Sequence, residues 1–222
     1  MKVYRKDYYA FKESRPVKVT IRTYTPDDFQ ELIQIQRESF PPPFPEELLW
    51  TEEQLENHLR LYPEGALCAE VEGILAGSVT SLLTNFSYED PDHTWEEVTG
   101  GGDISAHDPE GTTLYVVDLC VRPGYRQLDL GKALLQGLYD RVVADQLDRL
   151  LGGGRMSGYH RYAEEATPEE YMENVLAGVW KDPVITFMLR SGRTPVRIVK
   201  EYLEDAESHN MAMLMEWKNP FK

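Results

Sequence analysis

Apolar and polar residues alternate through VKVTIRTY, a period of two that predicts a strand over Val17–Tyr24. The period then lengthens. Thr25, with Pro26 behind it and Asp28 three residues on, marks a helix start, and Phe29, Leu32, Ile33 and Phe40 form its apolar stripe. FPPPFPEELLW must be extended, because proline fixes φ and lacks a donor. A capping box, Thr51 with Gln54, opens a second helix with Leu55, Leu59 and Tyr62 on its apolar side. ALCAEVEGILAGSVTSLL predicts two strands joined at Glu72-Gly73. TLYVVDLCV (Thr113–Val121) is apolar enough to lie in the middle of a sheet. A helix from about Leu130 to Leu147 follows, with Leu134, Leu138 and Val142 on one face, and RLLGGG ends the next strand. Thr167 and Glu170 cap a further helix, Asp182-Pro183 starts another that stops at Gly192, and two strands, Pro195–Tyr202 and Met211–Trp217, complete the chain. Residues 1–16 are basic and aromatic without clear period and are expected to be an arm, leaving 17–222 as a single domain. The order is α+β, with helices set among mostly antiparallel strands.

The pattern stops between Ser87 and Gly111. This stretch holds eight acidic side chains and two histidines but no lysine or arginine. Loops of such length are usually functional or disordered, and Trp95 and Ile104 favour an ordered one. Charge narrows the choice of partners. Thirty-eight acidic against 23 basic residues give −15, which repels phosphate backbones and anionic lipid and so argues against nucleic acid and membrane. At 222 residues and 41% hydrophobic the chain can fill a core. Cys68 and Cys120 lie in apolar strand-like runs, as buried free thiols do, without metal-type spacing, which fits a reducing cytoplasm. The N-terminal residues lack an apolar core of signal length, and no run could span a bilayer.

One junction carries candidate chemistry. In YRQLDLGKALL (Tyr125–Leu135) a strand gives way to a helix whose first N–H groups and positive dipole end offer a phosphate site. Arg126 adds charge, and Gly131 would allow a close approach to the backbone. Spacing alone leaves a second reading open, in which the glycine only relieves crowding at the turn.

VVDLCVRPGYRQLDLGKALL resembles the acetyl-CoA signature of the GNAT superfamily of N-acetyltransferases, and HTWEEVTGGG, HDPEG, GGGRMSGYHRYA, EEY and DPVITF are similar to GNAT domains found alone or ahead of a carbon–nitrogen hydrolase domain in bacteria. The likeness covers roughly residues 17–218. It implies a GNAT fold, a mixed, mostly antiparallel central sheet flanked by helices, with splayed fourth and fifth strands and acetyl-CoA as co-substrate between them. By the same likeness the pantetheine arm pairs with the backbone of Leu119, Cys120 and Val121. The pyrophosphate rests on the amides of Arg126, Gln127, Leu128 and Asp129 and then of Leu130, Gly131 and Lys132. Two positions depart from the family. Asp129 stands where its first glycine belongs, with its side chain expected to turn outward, aided by Lys132. Met188 stands where many relatives carry the tyrosine that protonates the departing thiolate.

Acyl transfer to an amine requires a base, an oxyanion donor and a proton for the thiolate. The strand amide near Leu119 or Val121 can be the donor. Asp118, Glu97 and His160 are the first candidates for the base, followed by His93, His107 and Asp108, and Tyr159 or Tyr162 could replace the missing acid. Each also has a structural alternative: Asp118 pairing with an arginine, the two loop histidines stapling their segment, the tyrosines packing a lid. A metal site at His93, His107, Asp108 and His160 lacks ligand spacing, and GGGRMS lacks the Gly-Lys-Ser/Thr end of a nucleotide loop. The expected partner is the amine of a small molecule or peptide, with a homodimer left open. The acidic stretch favours a cationic acceptor, whereas Arg155 and Arg161 could instead hold a carboxylate on it. The rival function is a catalytically weak or inactive acyl-CoA sensor or partner subunit.

Overall fold

The computed structural model describes residues 4–222. Its strands are β1 (Arg5–Lys12), β2 (Arg15–Thr23), β3 (Ala66–Val71), β4 (Ile74–Thr84), β5 (Thr113–Val121), β6 (Arg149–Arg155), β7 (Thr194–Val199) and β8 (Ala212–Lys218). They form one sheet in the order β1-β2-β3-β4-β5-β6-β8-β7, antiparallel throughout except between β5 and β6. This is the mixed, mostly antiparallel α+β arrangement expected from the sequence.

Of the segment expected to be an arm, residues 1–3 lie outside the described residues, and Arg5–Lys12 is instead an edge strand. All of β1 pairs with β2, from Arg5↔Arg22 to Lys12↔Arg15, across a tight turn in which Glu13 takes φ 55. Tyr8 and Ala10 are half-buried, while Tyr9 and Phe11 on the other face stand in solvent. Aromatic residues on both faces hide the period of two. The strands expected to be fourth and fifth are therefore β5 and β6.

Helices α1 (Phe29–Ser39) and α2 (Glu52–Leu61) cover one face of the sheet and α4 (Leu130–Ala144) the other. Neighbouring residues of β5 prove the point, since Asp118 meets Gln36 of α1 whereas Leu119 lies against Gly131 of α4. A 3₁₀ turn at Pro26–Asp28, held by Arg22 on Asp28, precedes α1. This turn sets the buried face as Phe29, Leu32, Ile35 and Gln36, leaving Ile33 and Phe40 half-buried. The proline stretch, expected to be extended, instead turns twice, at Pro42-Pro43, where Phe44 N donates to Pro41 O at 3.2 Å, and in a 3₁₀ turn at Glu46–Leu48. Two short helices, α5 (Pro168–Leu176) and α6 (Pro183–Arg190), close the β6 end of the sheet over a second apolar cluster that includes Met156, Tyr171, Ile185 and Met188.

The acidic stretch is ordered around α3 (Trp95–Thr99), started by a Thr94–Glu97 capping box. Trp95 Nε1 donates to Val117 O at 3.0 Å, and Ile104 is fully buried. His58 of α2 anchors the same segment: its Nε2 donates to Gly102 O at 2.7 Å, leaving Nδ1 to accept from Tyr24 Oη at 2.9 Å. Burial lowers this imidazole to a pKa of about 4, so it stays neutral.

Candidate active site

The site begins where the sheet opens. β5 and β6 pair only through Thr113↔Arg149, Leu114↔Leu150 and Tyr115↔Leu151, yet β5 runs on to Val121 and β6 to Arg155. Just past the last pair β5 carries an irregularity, with Val116 opposite Ser81 and Asp118 opposite Thr80, so Val117 is an extra residue. Bulges of this kind turn a strand and re-aim its backbone groups. The parted strands lead to the N-terminus of α4, which no side chain caps. A 3₁₀ helix, Pro123–Leu128, enters it through Asp129 at φ 54, ψ 26.

That left-handed conformation explains why a glycine suits this position and what an aspartate there must tolerate. The Asp129 side chain is exposed and lines a cleft beside the turn. Gly131 is buried, and a Cβ there would lie 3.1 Å from Phe187 and 3.5 Å from Leu119, so this glycine permits close packing of helix, strand and α6. Arg126 Nε donates to Val121 O at 3.2 Å, tying the turn to the end of β5. That cleft is walled by Lys132, Arg161, Lys181 and Arg190 together with Asp129 and Asp182, so cations outnumber carboxylates there on a chain of charge −15.

On the opposite face Asp118 points toward α1. Burial pushes its carboxyl from 3.8 up to about 6, against the pull of hydrogen bonds from Gln36, Cys120 and the Leu119 amide and of the Arg155 charge. Gln36 Nε2 approaches Asp118 Oδ2 at 3.4 Å while its Oε1 accepts from the Trp50 amide, which fixes the side-chain amide in place. Gln36 escaped the sequence reading. Its signal was a polar residue on the apolar stripe of a predicted helix. Cys120 is buried against Ser78 at 3.4 Å with its thiol pushed well up by burial, so it offers the split only its backbone.

Each of the other candidates makes structural contacts. Glu97 caps α3, accepting from Thr94 N at 2.8 Å, and those hydrogen bonds hold its carboxyl below the usual range. His160 is exposed, with Nδ1 donating to Ser157 O at 3.0 Å. Tyr159 is buried and donates to Ala166 O at 3.0 Å; Tyr162 stacks on Trp180 at 4.0 Å. His93 hydrogen-bonds Tyr115 Oη at 3.1 Å, and His107 Nδ1 accepts from Leu83 N at 3.1 Å, so both histidines staple the loop. Asp108 accepts from Asn85 and from Glu110 N. Arg155 is committed to Asp205 and Glu207, which removes it as a free anchor for an acceptor carboxylate. Met188 packs against Gly154 of β6 with no ionisable group of its own to offer. Among the described residues no three His, Cys, Asp or Glu side chains could hold a metal ion, and no helix is long and apolar enough to cross a membrane.

Residues 29–156, more than half of the chain, match the Acetyltransferase (GNAT) family. The chain belongs to that family and is an acyltransferase. The uncharacterized N-acetyltransferase YkwB of Bacillus subtilis (strain 168) is 52% identical to this GNAT chain over 203 residues, which are 91% of the chain and 90% of YkwB. The probable hydrolase YhcX of the same organism is 40% identical over 203 residues, but those make up only 39% of its own length. Among solved structures, the GphF GNAT-like decarboxylase in complex with isobutyryl-CoA shares the fold at a TM-score of 0.74 and 22% identity, covering 89% of this chain and 98% of that one. Naa20 of Chaetomium thermophilum, in complex with a bisubstrate analogue, does so at 0.60 and 15%, covering 90% and 87%.

Proposed function

We propose that this GNAT protein transfers the acyl group of an acyl-CoA, acetyl-CoA being the simplest donor, to the amine of a small molecule or peptide by direct attack. The observation that carries this reading is the early end of the β5–β6 ladder beside the uncapped start of α4. Backbone groups of Leu119, Cys120 and Val121 are suited to pair with pantetheine, and the amides from Arg126 to Lys132 to hold its diphosphate. The cationic cleft at Lys132, Lys181 and Arg190 suits the remaining phosphate.

The acceptor approaches from the α1 face. Its nitrogen lone pair attacks the thioester carbon, a strand amide near Leu119 or Val121 stabilises the oxyanion, the C–N bond forms and the C–S bond breaks. Asp118, raised toward neutrality, takes the proton that the nitrogen loses. The thiolate keeps the bonding pair and is protonated from solvent, since Met188 supplies no proton. The missing acid also supports a second reading, a sensor that binds acyl-CoA without turnover.

Calorimetry with CoA, followed by thiol release from acetyl-CoA over a panel of amines, tests both. Binding with thiol release is the expected result. Binding without release against any amine identifies the sensor, and no binding refutes the placement of CoA. Of the eight acids near the acceptor side, Asp92 is paired with Arg197, while Asp90, Glu97, Asp103 and Asp108 are engaged only by neutral groups, which leave their charge in place. A cationic amine should therefore be preferred over matched neutral and anionic ones, and the preference should fade as salt rises. Equal rates for all three classes remove the acidic segment from acceptor choice.

A further inference from the structure

Arg193 lies in the turn between α6 and β7, only 3% exposed, and neither its Nε nor its Nη2 has a hydrogen-bond partner. The other inward arginines are matched: Arg22 by Asp28, Arg149 by Glu216, Arg155 by Asp205. The ionisable groups that act on Arg193 are the phenols of Tyr139 and Tyr115, with no carboxylate among them. An unmatched buried charge is poorly tolerated unless something compensates it.

Its position suggests what does. A Cβ built on Gly152 would lie 3.3 Å from Arg193 Nη1 and 3.3 Å from Val116 Cβ. Gly152 and Val116 are the first residues past the last β5–β6 pair, so the guanidinium sits at the vertex of the split. With no side chain on Gly152, nothing from that position covers it. Nη1 is the nitrogen that faces the vertex, while Nε and Nη2 are enclosed by the protein without a partner, so the charge has no counter-ion of its own there.

Resting on the reading of the split as the CoA site, we propose that Arg193 is the counter-ion for a carboxylate at the end of the donor's acyl chain. The donor class is then a dicarboxylic acyl-CoA, such as a malonyl or succinyl thioester. Pantetheine laid along β5 from Val121 toward Val116 brings the thioester to the vertex. A short chain beyond it ends at Arg193 Nη1. The transfer chemistry is unchanged, and the carboxylate stays on the product.

The test is calorimetry of wild type, Arg193→Met and Arg193→Lys with CoA, acetyl-CoA, butyryl-CoA, malonyl-CoA and succinyl-CoA, with thermal melts of each free protein. Wild type should bind a carboxylated donor about 10- to 100-fold tighter than the neutral thioester, the range expected for a charge-assisted pair. Arg193→Met should lose that preference while holding CoA and acetyl-CoA as wild type does, and should melt no lower than wild type. Arg193→Lys should keep part of the preference. Wild type that binds CoA but treats butyryl- and succinyl-CoA alike overturns the assignment while leaving the CoA site standing. An Arg193→Met loss shared equally by CoA, acetyl-CoA and succinyl-CoA also overturns it, since the guanidinium then serves pantetheine. Wild type that fails to bind CoA at all removes both readings.

Discussion

Asp118→Asn separates the chemistry of the acceptor face from its packing. Burial raises this carboxyl from 3.8 to about 6, and desolvation wins over four weaker attractions. The folded protein therefore holds the proton more tightly than the unfolded chain does. Below about pH 3.8 both states are protonated and the group is neutral in stability. As pH rises toward 6 the unfolded chain ionises freely while the folded one resists, so stability falls. Above pH 6 the cost is complete. A rise of about 2 in pKa, at about 1.4 kcal/mol each, makes it about 3 kcal/mol. Asparagine cannot ionise and can still accept from Gln36, so the variant should melt with wild type near pH 4 and above it at pH 7.5. For a chain of this length the gap is on the order of 6–10 °C. Urea or thermal denaturation from pH 4 to 8 reads the gap directly. In the same variant acyl transfer should fall about 10²- to 10⁴-fold, and wild-type activity should show an acid limb near pH 6. A stability gap that stays constant with pH, or that narrows as pH rises, refutes the buried carboxylate and with it the case for Asp118 as base.

Gln36→Leu removes a group that favours the ionised Asp118, so the acid limb should move to higher pH; it also strands the Trp50 amide at a cost of about 1–3 kcal/mol, and an unmoved limb would detach Gln36 from Asp118. Asp129→Gly relieves a left-handed aspartate and removes a like charge beside the diphosphate site, so calorimetry should find tighter CoA binding, up to about tenfold per ~1.4 kcal/mol of repulsion, with the gain shrinking in salt. A weaker complex would mean that Asp129 makes a favourable contact. Asp182→Ala deletes the buried acceptor of Gly158 N, Tyr171 Oη, Val184 N and Ile185 N, and denaturation should register a loss of about 3–5 kcal/mol; a loss below about 1 kcal/mol would show that α6 does not depend on this hub.

Local chemistry was legible and long-range pairing was not. The capping boxes at Thr51 and Thr167 act within three residues of sequence, and both helices begin there. The turn at Glu72-Gly73 is equally local, with φ 52 and 84. The capping signal of α3, Thr94 and Glu97 in HTWEE, lay inside a stretch whose charge drew the reading. β1 escaped because its alternation is aromatic on both faces, so only its partner strand tells which side is inward. At the site, Asp118 could be nominated from its strand, yet its raised pKa depends on burial contributed by other elements. Glu97, His160 and Tyr159 were nominated by type, and each is held by a local hydrogen bond that composition does not reveal. Arg193 carried no signal, because nothing in an arginine's own neighbourhood says that every acid will be elsewhere.

The three residue pairs that join β5 to β6 have a mechanical consequence. They are the narrow seam between a five-strand half-sheet, β1 to β5, and a three-strand half, β6, β8 and β7. Elsewhere each half is knitted by longer ladders, such as the eight pairs of β1 with β2 and the seven of β6 with β8. A shearing load would concentrate at this seam. A molecule lodged in the gap and bonded to β5 acts there as a rivet, so its departure slackens the whole sheet along one line. Amide protons of β5 that face the gap should then exchange faster in the empty protein than those facing β4, and slow when the gap is filled.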